Sequence, residues 1–310
     1  MGYMEPCELQ TAAEAYYIHL ERKRKSPNTI ASYRGSITPF LAFAEERNIV
    51  CFKDITRALV EEYQDYLAVN PSRLTGKPLN LRSRSCHASG IRNFFLWGAK
   101  VERCDAKLSL WLEQIKLPDL EPRPLKRDAL LRIKVYFLTE SDDPKYLLEK
   151  ALFFFILGTG CRIAEVLRVP RVGFERSTIV QKGGSRKTVI CPDFAADAMR
   201  AYLWPRIDDN PALFVRRVKH HDEMQVVPLT PNESRRIWKN LTKKLGIPYF
   251  TTHQLRHTAA TELLARGVDA MTVTNFMGHK SPATLRIYGA IPESQRQLAA
   301  WTMNQIMVAG

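Results

Sequence analysis

The ten residues from Leu117 to Lys126 (LPDLEPRPLK) include three prolines, and no other stretch constrains the fold as much. Each proline fixes φ near about −65°, removes a backbone donor and pushes the preceding residue out of the helical region. Neither a helix nor a central strand can run through such a segment, so 117–126 reads as an extended linker. It divides the 310 residues into 1–116 and 127–310, each long enough to bury a core of its own.

Composition narrows the class. Hydrophobic residues make up 45% and charged residues 25%, which supports packed cores and excludes a disordered basic tail. Lys and Arg number 46 against 32 Asp and Glu, a net charge of +14. The expected partner is therefore a polyanion, with nucleic acid ahead of an anionic membrane surface. The excess is uneven: residues 1–120 hold 17 basic and 14 acidic side chains, and 121–310 hold 29 and 18. The apolar run Ala151–Leu157 (ALFFFIL) is too short to cross a bilayer and reads as a buried helix. No basic-then-apolar leader opens the chain, and Pro6 breaks the myristoylation pattern. Six cysteines (Cys7, Cys51, Cys86, Cys104, Cys161, Cys191) form no CxxC pair, which argues against zinc and against a disulfide framework. The expected location is cytoplasmic and nucleoid-associated, with no membrane partner.

Periodicity predicts helices through the first part: Leu9–Arg24, Asn28–Arg47 with Asn28 as cap, a third capped by Thr56 and running to Leu67, and a fourth over about 80–100. The fourth carries the stripe Ile91, Phe94, Phe95 and Gly98. Residues 72–95 hold Arg73, Lys77, Arg82, Arg84 and Arg92 with no acid, which suits backbone phosphate contact; a solvated helix face is the plain alternative. Beyond the linker, helices are expected near 127–138 and 144–158. A hairpin follows, with strands 177–181 and 186–191 around Lys182-Gly183-Gly184-Ser185. Helical patterning resumes over 193–204, 231–245, 252–266, 269–277, 282–287 and 293–308. The fold class is mainly α with a small β-sheet (α+β).

Three motifs carry chemistry. In Thr159-Gly160-Cys161-Arg162-Ile163-Ala164-Glu165 a helix ends at Gly158 and another opens, placing Arg162 in a first helical turn. An arginine there offers a fixed fork of donors to a phosphate, and Glu165 at i+3 could hold the fork. An exposed surface pair is the alternative for this fragment alone. In His253-Gln254-Leu255-Arg256-His257, His253 and Arg256 share a helix face and can address one anion. His253 and His257 also match a metal pair, but Gln254 stands where the zinc protease motif needs Glu, and no third ligand is evident. His257 reads as a core or capping residue, and no metal or other cofactor is expected. Gly278-His279-Lys280 supplies a loop histidine, and Tyr288 follows nine residues later; a lone tyrosine is ordinarily a core or surface residue.

In this order, LGTGCRIAEVLRV, the hairpin lysine and HQLRHTAATELLARGVDAMTVTNFMGHKSPATLRIY resemble the tyrosine recombinase (phage integrase) family, of the simple two-domain Xer-like type. SPNTIASYRGSITPFLAFAEE resembles that family's core-binding domain. The resemblance implies a helical core-binding (SAM-like) domain over 1–116 and a catalytic domain over 127–310. No room is expected for an added arm-binding domain. It also implies site-specific recombination through a 3′-phosphotyrosyl bond and a Holliday junction, for integration, excision or dimer resolution. Tyr288 would be the nucleophile. A free tyrosine has a pKa near about 10 and is only ~0.1% ionised at neutral pH, so His253 would help remove its proton. Arg162 and Arg256 would clamp the phosphoryl oxygens, His279 would donate a hydrogen bond to the phosphate, and Lys182 would protonate the 5′-oxygen. Glu165 would support the site. The family usually shows Gly-Lys-Gly at the hairpin; here Gln181 replaces the first Gly and Lys187 lies close by, so Lys187 stands as the alternative lysine. Cys161 replaces a usual Leu as a small, inert hydrophobe. Expected partners are double-stranded DNA bearing recombination sites, a homotetramer linked in trans by a C-terminal helix over about 292–308, and accessory proteins. A type IB topoisomerase-like relaxer and a catalytically silent DNA-binding regulator are the rival readings.

Overall fold

The computed structural model describes residues 9–69, 76–117, 124–181 and 184–278. Arg73, Lys182, His279, Tyr288 and the helix expected over 292–308 lie outside the described residues. The chain forms two compact units, Met1–Pro118 and Asp119–Gly310.

The first unit contains α1 (Leu9–Arg22), α2 (Pro27–Glu45), a 3₁₀ turn (Phe52–Asp54), α3 (Arg57–Val69), α4 (Leu81–Lys100) and the short α5 (Lys107–Trp111). The caps set these boundaries. Ser26, not Asn28, caps α2: its Oγ accepts from the Thr29 amide at 3.2 Å, and Pro27 takes the first helical position, where its missing N–H costs nothing. Asn80 caps α4 by accepting from the Ser83 amide at 2.9 Å. Ile91, Phe94, Phe95 and Gly98 all face inward, as expected from their spacing. Gly90 allows α2 and α4 to cross closely, since a Cβ there would sit 2.4 Å from the Ser36 Cβ. Ser36 Oγ completes the crossing by donating to the carbonyls of Ser32 (3.1 Å) and Cys86 (3.3 Å). Edge-on aromatic pairs, such as Phe40 with Tyr63 at 5.1 Å, fill the core between α2, α3 and α4.

The second unit runs α6 (Arg127–Tyr136), α7 (Pro144–Thr159), α8 (Ile163–Val166), β1 (Arg176–Val180), β2 (Arg186–Ile190), α9 (Asp193–Leu203), β3 (Val215–His220), β4 (Glu223–Pro228), α10 (Pro231–Leu245), α11 (Thr252–Ala265) and α12 (Ala270–Met277). Apolar α7 is the centre of the core and packs against α9 and α11. β1 and β2 pair antiparallel with Val180 opposite Arg186. β3 and β4 form a second antiparallel sheet that sequence reading did not anticipate. Its turn is His221-Asp222, both at positive φ (45° and 64°), so the glycine that usually betrays such a turn is missing. No helix among the described residues is long and apolar enough to cross a membrane.

Two expectations around the first motif need correction. Helix α7 ends at Thr159, not Gly158, and Gly160 closes it in the left-handed conformation at φ 59°. Arg162 is the extended residue preceding α8 rather than part of a first helical turn, and α8 is a single turn. Whatever readies Arg162 for an anion therefore comes from its side-chain partners.

Candidate active site

The site forms where the ends of α7 and α12 meet. Gly160 is required there twice over: its φ is left-handed, and a Cβ would sit 2.3 Å from the Met277 Sδ. Directly beyond it the chain turns extended through Cys161 and Arg162, and α8 then presents Glu165. Glu165 is 4% exposed and gathers donors from four segments. One oxygen accepts from the Arg162 amide at 3.0 Å. The other accepts from Arg162 Nη1 at 2.8 Å and from Gln181 Nε2 at 3.1 Å. Lys187 Nζ lies 3.9 Å away and Arg256 Nη1 3.8 Å. Burial pushes the Glu165 pKa up, but these donors and cations outweigh it, and the carboxyl is held below its ordinary range.

Arg256 comes from α11, whose start is fixed by Thr251, with Gln254 returning a bond to the cap. It is 1% exposed. Its Nη1 donates to the Gly160 carbonyl and its Nη2 to the Met277 carbonyl at 2.7 Å. Two carbonyls and one carboxylate thus orient the guanidinium. Arg162 differs: its side chain is 46% exposed, tethered at one end by Glu165 and open to a ligand at the other. His253, one turn before Arg256, is also at the surface. Although the residue reaches solvent, its partial burial lowers the pKa, and Arg256 and then Arg162 lower it further, so it is neutral at neutral pH and able to accept a proton. Its ring meets that of His257 edge-on at 4.3 Å. His257 is driven further, to about 4, by burial, His253 and Arg256. Among the described residues no group of three or more His, Cys, Asp or Glu is placed to hold a metal.

Arg162, Glu165, His253 and Arg256 are therefore brought together, whereas Lys182, His279 and Tyr288 fall outside the described residues. Of the basic residues in the first unit, Lys77 and Arg82 are exposed, and Arg84 and Arg92 are half-buried on α4. Sequence reasoning named Lys187 only as the alternative lysine and Gln181 only as a departure from the usual glycine, and it foresaw neither residue's approach to Glu165. Lys187 is 7% exposed, with Nζ 3.2 Å from Cys161 Sγ and 3.3 Å from the Met277 carbonyl. The signal was present: β2 alternates exposed and buried, and Lys187 occupies an inward position beside Val189. An inward lysine needs an anion, and Glu165 is that anion. Gln181 gave no such signal, because turn residues are not phased by periodicity. Also unforeseen is the basic face of α10, where Arg235, Arg236, Lys239 and Lys243 are all exposed.

Together the fold and this cluster define an α+β protein whose site gathers two arginines and a lysine around one buried carboxylate, with a histidine alongside. Comparison with known proteins sharpens that class. Residues 129–294 match the Phage integrase family, and residues 13–100 match its N-terminal SAM-like domain. The chain belongs to the phage integrase family of tyrosine recombinases. It is 28% identical over 280 residues to Tyrosine recombinase XerA of Pyrococcus furiosus, covering 89% of this chain and 87% of that protein. It is 29% identical over 302 residues to Tyrosine recombinase XerC of Rhodospirillum centenum, covering 93% and 85%. In fold it is similar to lambda integrase(75-356), solved as a dimer bound to a COC′ core site (TM-score 0.67, 16% identity, 92% of this chain and 96% of that one). It is likewise similar to XerH site-specific recombinase bound to difH substrate (TM-score 0.64, 18% identity, 92% and 83%).

Proposed function

We propose that this chain is a site-specific DNA recombinase that cuts and rejoins strands through a 3′-phosphotyrosyl intermediate. One observation supports this above the rest: Arg162 and Arg256, from segments far apart in sequence, converge on Glu165 with neutral His253 beside them. The Tyr288 oxygen attacks the scissile phosphorus, and its proton passes toward His253. The bond to the 5′-oxygen breaks, and Lys182 supplies the proton that this oxygen takes up. The phosphodiester energy is kept in the tyrosyl ester, so rejoining needs no external energy source. Arg162 and Arg256 neutralise charge developing on the non-bridging oxygens, and His279 donates to the same phosphate. That Lys187 is already engaged by Cys161, Met277 and Glu165 supports giving the proton-donor role to Lys182.

The bound partner in this reading is double-stranded DNA carrying recombination sites. Lys77, Arg82, Arg84, Arg92 and Arg73 contribute phosphate contacts from the first unit. Four copies act on two duplexes through a Holliday junction, the segment over about 292–308 packing into a neighbouring copy. Integration, excision of a mobile element and dimer resolution all use this chemistry, and accessory proteins would set the choice.

The test uses a duplex selected from a random-sequence pool for binding to this protein, then nicked near the cleavage point so that the cut strand diffuses away. A covalent protein–DNA adduct should form and should vanish in Tyr288→Phe. No adduct on any selected duplex refutes the reading. Exchanged strands as products support a recombinase, and relaxed circles alone would point to a topoisomerase-like activity instead.

A further inference from the structure

The hairpin and the end of α12 are tied into one hydrogen-bonded cluster by a residue whose type departs from the family's usual glycine. Gln181 closes the hairpin, its amide donating to the Ser185 carbonyl at 2.7 Å and its carbonyl accepting from the Gly184 amide at 3.1 Å. Its side-chain oxygen accepts from Ser185 Oγ at 3.3 Å. Its side-chain amide then reaches out of the hairpin in two directions. It donates to Glu165 Oε1 at 3.1 Å and to the Gly278 carbonyl at 3.3 Å. Gly278 ends α12 in the left-handed conformation at φ 67°, and a Cβ there would meet Gln181 Nε2 at 2.6 Å and Lys187 Cδ at 2.8 Å. Across the hairpin Lys187 adds a second tie, to the Met277 carbonyl at 3.3 Å.

We propose that Gln181 is a positioning residue that locks the root of the hairpin to Glu165 and to the end of α12, and so sets where the next residue, Lys182, delivers its proton. Two residues that the proposed mechanism uses come next in sequence to the residues it joins: Lys182 follows Gln181, and His279 follows Gly278. A glycine at 181 would keep the turn but have no side chain to make either outward bond. The inference rests on the recombinase reading, because it assigns Gln181 a role in the proton step of strand cleavage.

Leaving-group chemistry separates this role from a merely structural one. A 5′-bridging sulfur leaves as a thiolate and needs no proton, so a defect confined to proton delivery disappears on a phosphorothiolate duplex. The selected duplex is made with oxygen or sulfur at the mapped 5′-bridging position, and single-turnover adduct formation is followed for the parent, Gln181→Leu and Gln181→Gly. Losing a hydrogen bond to a charged partner predicts cleavage of the oxygen substrate roughly 10-fold or more slower in both variants. On the sulfur substrate their rates should come within about twofold of the parent. Gel-shift affinity should be unchanged, and melting curves verify that each variant is folded; Gln181→Gly, with the family's usual residue, guards against a packing artefact of leucine. Equal rates on oxygen, or an equal defect on both substrates, overturns the proposal while leaving the recombinase reading intact. An unaltered protein that forms no adduct overturns that reading, and the proposal with it.

Discussion

Glu165→Gln tests the organisation of the site most directly, because it preserves shape and removes one charge. The carboxylate is the only acidic group paired with Arg162, Lys187 and Arg256 among the ion pairs of the described residues. Everything that faces it is a donor: the Arg162 amide, two guanidinium groups, the Gln181 amide and the Lys187 ammonium. A carboxamide in its place turns an NH₂ toward one of these sets of donors in either orientation. Two of the cations are deep, Arg256 at 1% and Lys187 at 7% exposure, and neither can turn to water. Stranding a buried charge by removing its partner costs about 3–5 kcal/mol. Arg162, nearly half exposed, adds little to that sum. At about 2–4 °C per kcal/mol for a domain of this size, the second unit should melt ~6–20 °C lower.

Scanning calorimetry of the full chain at neutral pH measures this, with the first unit's transition as an internal reference. The control is Lys187→Met in the Glu165→Gln background. If the penalty comes from the stranded ammonium, the double variant should recover about 1 kcal/mol or more relative to the sum of the single changes. The penalty also depends on pH in a fixed direction. The Glu165 pKa is lowered in the folded protein, so its contribution is present above the unfolded carboxyl value and disappears as pH falls through the folded one. Parent and variant should therefore begin to converge as pH falls below the ordinary carboxyl value and meet once it passes the lower, folded one. A loss under ~1 kcal/mol at neutral pH, or strict additivity in the double variant, would refute the view of Glu165 as the counter-charge of the site.

Gly90→Ala should destabilise the first unit by about 1–3 kcal/mol despite alanine's better helix propensity, since the added Cβ meets Ser36 at 2.4 Å; urea unfolding measures this, and a neutral result would contradict the close α2–α4 crossing. His257, at about 4 in the fold against an ordinary 6.5, takes its proton later on acidification than the unfolded chain does. Stability from the neutral ring is thus complete above 6.5 and lost as pH falls toward 4, at up to ~1.4 kcal/mol per pH unit; urea midpoints at pH 7 and 5 should differ less in His257→Phe. Arg82→Ala should weaken DNA binding similarly across sequences and reduce the slope of log affinity against log salt by about one, so an unchanged slope removes Arg82 from the phosphate contacts. Deleting 292–310 should depress strand exchange far more than adduct formation, and equal losses in both would remove the proposed trans packing.

What could be read from the sequence follows the range of the interactions involved. Caps and stripes are local, so α4 could be drawn over about 80–100 from the 91-94-95-98 spacing, and α10 over 231–245, where the Thr230–Glu233 capping box in fact sets its start. The pairs Arg162–Glu165 and His253–Arg256 are each three residues apart, which is why a site could be named at all. The meeting of 165 with 181, 187, 256 and 277 depends on how α7, β2, α11 and α12 pack, and no local spacing encodes it. That packing carries an electrostatic consequence. One carboxylate faces three cations, two of them buried, so the cluster holds a surplus of positive charge where water cannot screen it well. The same field is felt by His253, whose proton affinity Arg256 and Arg162 lower after burial has done so. An anion arriving beside the open end of Arg162 would relieve that surplus, and a phosphate gathering charge during displacement would relieve it further. On the proposed reading, the charge imbalance that makes this site costly to fold would therefore be the property that favours the transition state over the bound phosphodiester.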